Sequence, residues 1–422
     1  MKRFRSGWIV LLAACVSAGA GAQVGVPLPQ LPLPPLPGVV NDTLRTAQSP
    51  LTELRKLRVN ELLRTERATV EADPDGHPIL RRQVGALSPT PEALARARAA
   101  GFTVISERTL EGLGLRVVVL QAPEGMSTRR ALKRMRALDP DGQYDFHHLY
   151  LESGIAQAAP AAVPPPETPA PQAGESPRIG LIDSGVDGAH PALAALTIHR
   201  HGCDGNSQPA PHGTAVASLL AGREGAFNGV RPGAVLYAAD VFCGHGGGSI
   251  ALLAVALDWM ARERVPVVNI SLVGAKSVLL TGLVRAMSAR GHLLVAAVGN
   301  DGPAAPPLYP AAYPEVVGVT GVDANDRVLP EACRGEQVDF AAPGAGIRAA
   351  QLGGGFAEVR GTSFATPFVA GLLADSLADP DPARARQALE ELSATAVDLG
   401  RGGADTTYGR GLVGASLRPA RE

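Results

Sequence analysis

Residues 361–371 read Gly-Thr-Ser-Phe-Ala-Thr-Pro-Phe-Val-Ala-Gly, and this stretch is the most specific motif in the chain. The apolar residues after Ser363 predict a buried helix that begins beside this serine, and Pro367 lies about one turn in, where a missing N–H costs little. A serine at a helix start is ordinarily a cap. An oxygen nucleophile there would also gain from the unpaired N–H groups and the positive end of the helix dipole. The motif favours the nucleophile.

The sequence around this motif, from Arg178 onward, alternates short β-branched runs with Ala-rich segments. The predicted strands are Ile179–Asp183, Val235–Val241, Pro266–Ser271, Leu293–Val298 and Val316–Thr320. The predicted helices are His212–Ala221, Ser249–Glu263, Val278–Arg290, Ser363–Leu377 and Pro382–Leu392. Because the strands are apolar without polar alternation, both faces of the sheet should be covered. The pattern predicts an α/β fold with a mostly parallel twisted sheet and helices on both faces.

Three further polar residues stand at the ends of these elements. Asp183 ends the first strand, and function gathers at the carboxyl ends of strands in open α/β sheets. His212 opens a helix of small apolar residues, which should hold its imidazole rigidly at the mouth of the sheet. Asn300 follows an apolar strand, and its side-chain amide could join the Ser363 N–H in holding an oxyanion. Each residue alone has an ordinary explanation as a cap or turn residue, but the ordered set does not.

This set carries a resemblance to a known family. Residues 183–185 (Asp-Ser-Gly), 212–214 (His-Gly-Thr) and 361–367 resemble the three active-site motifs of subtilisin-like (subtilase) serine peptidases, in the order Asp, His, Ser. The resemblance covers roughly Arg178 to Ala415. It implies acyl transfer to water without a cofactor. Structural calcium occurs in relatives, but no run here has a dedicated carboxylate spacing, so we predict no metal site.

The resemblance also assigns roles. It implies Ser363 as nucleophile, His212 as general base and then acid, Asp183 as the group that orients the imidazole, and Asn300 as an oxyanion donor. The run from Val267 to Gly274 resembles the family strand that pairs with extended polypeptide substrates. The implied substrate-binding residues are Ser271, Leu272, Val273, Gly274, Ala297 and Gly299. Val273 stands where the family often has glycine, which predicts a narrower pocket for smaller apolar side chains.

Residues 41–153 predict a separate α+β domain. After a helical stripe between Leu51 and Leu63, the order is β-α-β-β-α-β, a ferredoxin-like pattern. This order resembles the family's propeptide, which implies a zymogen whose own propeptide is an intramolecular chaperone and inhibitor. His147-His148 near its end is interpreted as a solvated strand end, with pH-dependent release of the propeptide as the alternative.

The N-terminus reads as an export signal. Residues 1–22 have a basic start, a short apolar run from Trp8 to Val16 and a small-x-small cleavage site at Ala20–Ala22. The run is too short to span a membrane. Residues 12–15 (Leu-Ala-Ala-Cys) offer an alternative, a lipoprotein box with a lipid anchor at Cys15. Either reading predicts an exported protein, periplasmic or secreted.

Two Pro-rich segments separate the units. Residues 23–40 predict a Pro-rich spacer and residues 154–177 a Pro/Ala-rich linker, followed by a catalytic domain over 178–420. We expect activating cleavage within Ala156–Pro177, because exposed segments of this kind are readily nicked.

Composition limits the remaining choices. With 422 residues and 45% hydrophobic content, two globular units plus tails are expected. A formal net charge of -1 gives no electrostatic case for nucleic acid, and we expect a monomer. Cys203, Cys243 and Cys333 would remain after export; we favour a Cys203–Cys243 disulfide, although the sequence leaves the pairing open. The spacing His199-x-His201-x-Cys203 offers a zinc site as the alternative use.

The sequence thus predicts an exported serine endopeptidase made as a precursor. The alternative is a regulatory or binding protein of the cell envelope that carries the triad but is permanently inhibited by its N-terminal domain. Cleavage of the precursor by itself would separate the two.

Overall fold

The computed structural model describes residues 50–156 and 176–418. The predicted signal peptide (1–22) with Cys15, the spacer (23–40) and most of the linker (157–175) lie outside the described residues. The chain forms an N-terminal unit and a larger C-terminal unit, and the two share one β-sheet.

The N-terminal unit has the β-α-β-β-α-β order after an opening helix and a short additional strand. Its elements are Pro50–Thr65 (α1), Val70–Ala72 (β1), Pro78–Leu87 (β2), Pro91–Ala99 (α2), Thr103–Leu110 (β3), Leu115–Gln121 (β4), Thr128–Leu138 (α3) and Gln143–Glu152 (β5). The antiparallel strands lie in the order β5-β2-β4-β3. Thr90 and Ser127 cap α2 and α3 by accepting backbone N–H bonds. A small apolar core lies between these two helices and the sheet.

The C-terminal unit is built on a central parallel sheet. Its strands are Arg178–Asp183 (β7), Ile198–His201 (β8), Val235–Asp240 (β11), Val267–Ile270 (β13), Leu293–Ala297 (β15), Val316–Val322 (β16) and Phe340–Pro343 (β17). They lie in the order β17-β16-β15-β13-β7-β11-β8, and every pairing between them is parallel. The predicted fold class is confirmed. The edge strands β8 and β17 were not predicted, because both are too short to show a pattern.

Helices cover both faces of this sheet. They are Pro211–Ala221 (α4), Ile250–Arg262 (α5), Val278–Ala289 (α6), Thr362–Ala374 (α7) and Pro382–Thr395 (α8). Helices α5 and α6 build one apolar core, while α4, α7 and α8 build the other. The observed bounds differ from the predicted ones by up to three residues, as expected where helix ends fray.

Short strands line the rim of the unit. They are Ile155–Ala156 (β6), Arg223–Glu224 (β9), Phe227–Asn228 (β10), Gly248–Ser249 (β12), Leu272–Val273 (β14), Ala345–Ala350 (β18) and Phe356–Arg360 (β19). Strands β12 and β14 pair with β5, and β19 pairs with β6. The end of the N-terminal unit therefore adds strands to the rim of the C-terminal one.

The sheet of the N-terminal unit rests on α5 and α6. Asp145 on β5 accepts a 2.8 Å bond from the Val278 N–H at the start of α6, where a carboxylate also favours the helix dipole. Asp258 on α5 accepts a 3.2 Å bond from the Leu113 N–H. These contacts fix the direction in which β5 leaves the N-terminal unit.

Cys203 and Cys243 form a disulfide, and Cys333 is free and buried, which is the pairing that we favoured. Because the Cys203 sulfur is part of this disulfide, it offers no thiolate to a zinc ion, which argues against the alternative zinc site. The rings of His199 and His201 stack on Tyr237 and Trp259. Among the helices of 50–156 and 176–418, none has the length and apolar content needed to cross a membrane.

Candidate active site

Three predicted residues meet at the mouth of the central sheet. Asp183 is the last residue of β7, while His212 and Ser363 are each the second residue of a helix, α4 and α7. His212 Nδ1 lies 2.8 Å from Asp183 Oδ1, and His212 Nε2 lies 3.0 Å from Ser363 Oγ. All three side chains are buried. The arrangement is a continuous hydrogen-bond chain from carboxylate to imidazole to hydroxyl.

The residues next to Asp183 hold its carboxylate in place. Asp183 Oδ1 accepts bonds from the Ser184 N–H (2.7 Å) and Ser184 Oγ (3.1 Å) as well as facing His212. Ser184 Oγ in turn accepts the Gly213 N–H at 3.1 Å. A side chain at Gly213 would collide with the Ser184 carbonyl. The strand end and the helix start are therefore joined directly, which explains why Asp-Ser-Gly and His-Gly-Thr act as one structure.

Pro367 explains how helix α7 is attached to the neighbouring strand. In a regular helix the N–H of residue 367 would bond to the carbonyl of residue 363, but proline has no N–H. That Ser363 carbonyl instead accepts a 3.0 Å bond from Ser271 Oγ, and Ser271 Oγ accepts a 2.8 Å bond from Asn269 Nδ2. Ser271 was predicted to bind substrate; the structure uses its side chain to hold α7 against the neighbouring strand.

Electrostatics favour a charged imidazole at this site. Burial by itself lowers the pKa of His212, but the negative charges of Asp183 and Glu152 and the Asp183 hydrogen bond outweigh it, so the pKa is raised above the usual value. Burial raises the pKa of Asp183, and the charge and hydrogen bond of His212 oppose that rise. The carboxylate beneath the ring therefore stabilises the imidazolium that forms when the ring takes a proton.

Asn300 lies beside Ser363, as predicted. Its Oδ1 accepts the Thr362 N–H at 3.1 Å, which orients the amide so that Nδ2 points into the cleft. Nδ2 donates to Ser153 Oγ at 3.0 Å, and the Ser363 N–H donates to the Ser153 carbonyl oxygen at 3.2 Å. Two donors thus converge on one residue of the chain itself.

That residue belongs to an extended segment that crosses the cleft. On one side β5 lies between two rim strands, with Tyr150 opposite Gly248 and Leu151 opposite Val273. Beyond Ser363, β6 pairs with β19. A Cβ at Gly154 would collide with Ser363 Oγ. The Ser153–Gly154 peptide bond therefore lies next to Ser363 Oγ.

The other predicted pocket residues lie along this segment or behind it. Leu272 and Val273 pair with β5 as strand β14. Gly274 faces the Tyr150 ring, where any Cβ would collide, and the Tyr150 hydroxyl donates to the Ala275 carbonyl at 3.0 Å. Ala297 and Gly299 are buried near Asn300, Ala297 as the last residue of β15 and Gly299 with a positive φ of 100°.

Sequence reasoning missed the second rim strand, Gly248–Ser249. The signal was the glycine-rich run 244–248 after β11, since glycines let another backbone approach closely. It also missed Glu152, whose carboxylate lies within 4.8 Å of a carboxylate oxygen of Asp183 and of a ring nitrogen of His212.

Known proteins are similar to this chain in sequence and in fold. The sequence model of the Subtilase family matches residues 174–411. Minor extracellular protease Epr of Bacillus subtilis (strain 168) is 34% identical over 57% of this chain, but the match spans only 38% of Epr. Subtilisin E of the same organism is 31% identical over 67% of this chain and 77% of its own length.

The fold is similar to that of fervidolysin from Fervidobacterium pennivorans, a keratinolytic enzyme related to subtilisin. The TM-score is 0.67 at 21% identity, covering 82% of this chain and 62% of fervidolysin. The covered 82% of this chain is more than residues 176–418 can supply, since they make up less than two thirds of it. The likeness in fold therefore extends into the N-terminal unit.

Family match, relatives and fold agree with the geometry of the cleft. Members of this family generally need no cofactor, although some hold structural calcium. The chain belongs to the subtilase family and is a subtilisin-like serine endopeptidase.

Proposed function

We propose that Ser363 is the nucleophile of this peptidase, with His212 as general base and acid and Asp183 as the group that orients the imidazole. The observation that carries the proposal is the buried hydrogen-bond chain Asp183–His212–Ser363, with a peptide bond lying at its end. The substrates are polypeptides bound in extended form between the two rim strands.

The geometry supports a balanced sequence of steps. Ser363 Oγ attacks the carbonyl carbon while its proton passes to His212 Nε2. The Ser363 N–H and Asn300 Nδ2 stabilise the negative charge on the carbonyl oxygen. The C–N bond then breaks as His212 gives its proton to the leaving amine. Water cleaves the resulting ester by the same route in reverse and restores the Ser363 hydroxyl.

The first substrate of the enzyme is its own chain, at the Ser153–Gly154 bond. Strand pairing on both sides, the N–H bond to the Ser153 carbonyl and the close approach of Gly154 to Ser363 Oγ all support this bond. The sequence placed the activating cut within Ala156–Pro177; the geometry favours this bond two residues earlier as the first cut.

After this cut the N-terminal unit acts as the enzyme's inhibitor. Strand β5 keeps its pairing with β12 and β14 because none of those bonds involves Gly154. Helix α1 covers the outer side of the strand: Val59 and Leu62 pack on Leu151, and Arg58 lies 3.5 Å from the Glu152 carboxylate. The cleft opens only when this unit leaves.

We further propose that the precursor is exported, as the basic and apolar N-terminus and the disulfide indicate. One relative, Epr, is named as an extracellular protease. The comparisons lend no support to a lipid anchor at Cys15. The monomer expected from the sequence stays a prediction.

Incubation of the purified precursor tests the proposal. We expect a new N-terminus at Gly154, then hydrolysis of added peptides once the N-terminal unit is lost. Ser363→Ala should show neither, with a loss of roughly a million-fold, a size known from subtilisin itself. Ser393→Ala on α8 is the matched control and should behave as wild type.

Two outcomes would count against it. Full processing of Ser363→Ala in the absence of other proteases would remove the nucleophile assignment. Cleavage at Gly154 without any later peptide hydrolysis would favour the permanently inhibited alternative.

A further inference from the structure

Helix α1 places a cation on a carboxylate beside the scissile bond. Two guanidinium nitrogens of Arg55, Nε and Nη2, each lie 2.6 Å from Asp301 Oδ2. The two side chains are largely buried, with exposed fractions of 17% and 7%. The pair joins two residues that are 246 positions apart in the sequence, and Asp301 directly follows Asn300. A buried ion pair at this point ties α1 to the wall of the cleft.

The carboxylate is held in place by the C-terminal unit alone. On one side of Asp301, the Gly302 N–H donates to the Glu331 carbonyl at 2.8 Å. On the other side, the Cys333 N–H donates to the Gly299 carbonyl at 3.0 Å. These bonds do not involve the N-terminal unit, so Asp301 keeps its place when that unit departs.

The position of this carboxylate relative to the scissile bond is also fixed. Ser153, Gly154, Val273, Asn300 and Asp301 line one small cavity. Leu54, Arg55 and Glu152 complete its lining. The Ser153 side chain is short and ends at Asn300 Nδ2. Because Ser153 shares this cavity with Val273 and Asp301, a longer side chain at position 153 would be within reach of both.

Loss of the N-terminal unit leaves this carboxylate without its cation. The same loss uncovers Asp301, because α1 and Ser153 line the cavity beside it. The carboxylate then faces the open cleft, where it attracts an entering cation and repels an entering anion. Val273 offers an apolar wall for the aliphatic stem of a long basic side chain, and Asp301 offers the charge at its end.

We propose that the processed enzyme prefers lysine or arginine immediately before the scissile bond, with Asp301 as the specificity-determining residue. This inference rests on the proposed function, because it concerns the same cleft. It revises the expectation of small apolar side chains, which considered Val273 without Asp301.

Matched peptides test the inference on the processed enzyme, purified away from residues 1–153. The peptides differ only at the residue before the cut: lysine, arginine, norleucine, serine or phenylalanine. We expect kcat/KM for lysine to exceed that for norleucine, its uncharged counterpart, by about 10-fold or more, the size of a hydrogen bond to a charged group. Asp301→Asn should remove this ratio, and Asp301→Glu should largely keep it.

Controls separate the causes. Asp379→Asn removes one carboxylate that pairs with Arg178, in a pair that involves neither Asn300 nor Ser153, and should leave the ratio unchanged. Benzamidine should inhibit the wild type more strongly than neutral benzamide, and Asp301→Asn should lose that difference, a readout that holds even if the variant turns over slowly.

The possible results distinguish a failure of this inference from a failure of the proposed function. Cleavage of norleucine or phenylalanine peptides with no preference for lysine, or a lysine preference that persists in Asp301→Asn, overturns the inference while the peptidase assignment stands. A basic preference only at the residue after the cut overturns it as well. No cleavage of any peptide contradicts the proposed function and the inference together.

Discussion

The two units of the chain bury different kinds of side chains. The C-terminal unit has apolar cores on both faces of a parallel sheet, and its buried His190 uses both ring nitrogens, one toward the Gly355 carbonyl and one toward the Ala192 N–H. The N-terminal unit has one small core and two minor apolar clusters beside α1. Each of its histidines, His77, His147 and His148, has a buried ring nitrogen without a partner among the described residues, which in the C-terminal unit is true of the half-buried His245.

This difference corresponds to the fates proposed for the two units. A small core gives the N-terminal unit little stability in reserve. Burial lowers the pKa of His77 and of His147, so this unit loses stability when acid protonates those two rings. We therefore expect the C-terminal unit to resist unfolding and the N-terminal unit to be removed more easily.

The largest expected effect is on catalysis by the C-terminal unit. Asn300→Ala should lower the kcat of the processed enzyme by about 100- to 1,000-fold, because one of two oxyanion donors is lost; the magnitude comes from a donor of this kind in subtilisin. Steady-state kinetics on one peptide would measure it. The exposed Asn325→Ala is the control. Full activity of Asn300→Ala would exclude the amide from the oxyanion site.

The second change is at the junction of the units. Gly154→Val should slow self-cleavage by about 100-fold, because the added side chain displaces the peptide bond from Ser363 Oγ, and a shift of about 1 Å has such an effect. The rate of appearance of the cut chain measures it. Peptide hydrolysis by the enzyme, once processed, should be normal. Unchanged self-cleavage would move the first cut away from Ser153–Gly154.

The third change tests acid sensitivity. Burial, with a smaller contribution from the charge of His148, lowers the pKa of His147 to about 3. The unfolded chain therefore binds the proton first as pH falls, and stability declines from about pH 6.5 toward pH 3. At pH 5 the loss from this one group is about 2 kcal/mol.

The measurement is the free energy of unfolding of the N-terminal unit in the Ser363→Ala precursor at pH 7 and pH 5. His147→Gln should reduce the difference between the two, whereas the exposed His199→Gln should not. An equal acid loss in His147→Gln would show that other groups control release.

The smallest expected effect is a shift in a pH profile. The Glu152 carboxylate contributes to the raised pKa of His212, and self-cleavage needs the neutral imidazole. Glu152→Gln should therefore move the rise of the self-cleavage rate to lower pH. The exposed Glu111→Gln should leave the profile in place. A shift to higher pH would contradict the charge argument.

Much of this organisation was predictable from the sequence. Apolar strands without alternation predicted the parallel sheet, and the motifs around Asp183, His212 and Ser363 predicted the residues that the structure brings together. Each motif determines locally that its polar residue is buried and that the next element follows directly. The three motifs could therefore be recognised although they lie far apart in the sequence.

Other features depend on partners that no local pattern contains. The His147-His148 pair was interpreted as a solvated strand end, and this is wrong: both are buried, because β5 is an inner strand of the shared sheet. Strands β12 and β14 have two residues each and exist only through β5. Asp301 reads as a turn residue until α1 brings Arg55 to it.

The bond from Ser271 Oγ to the Ser363 carbonyl has one more consequence. The next residues along the chain, Leu272 and Val273, pair with β5. A displacement of that rim is therefore passed to the backbone of Ser363 through this hydrogen bond, in addition to the packing of α7 on β13. We expect the rim strand and Ser363 to move together, which would keep the paired strand aligned with the Ser363 hydroxyl.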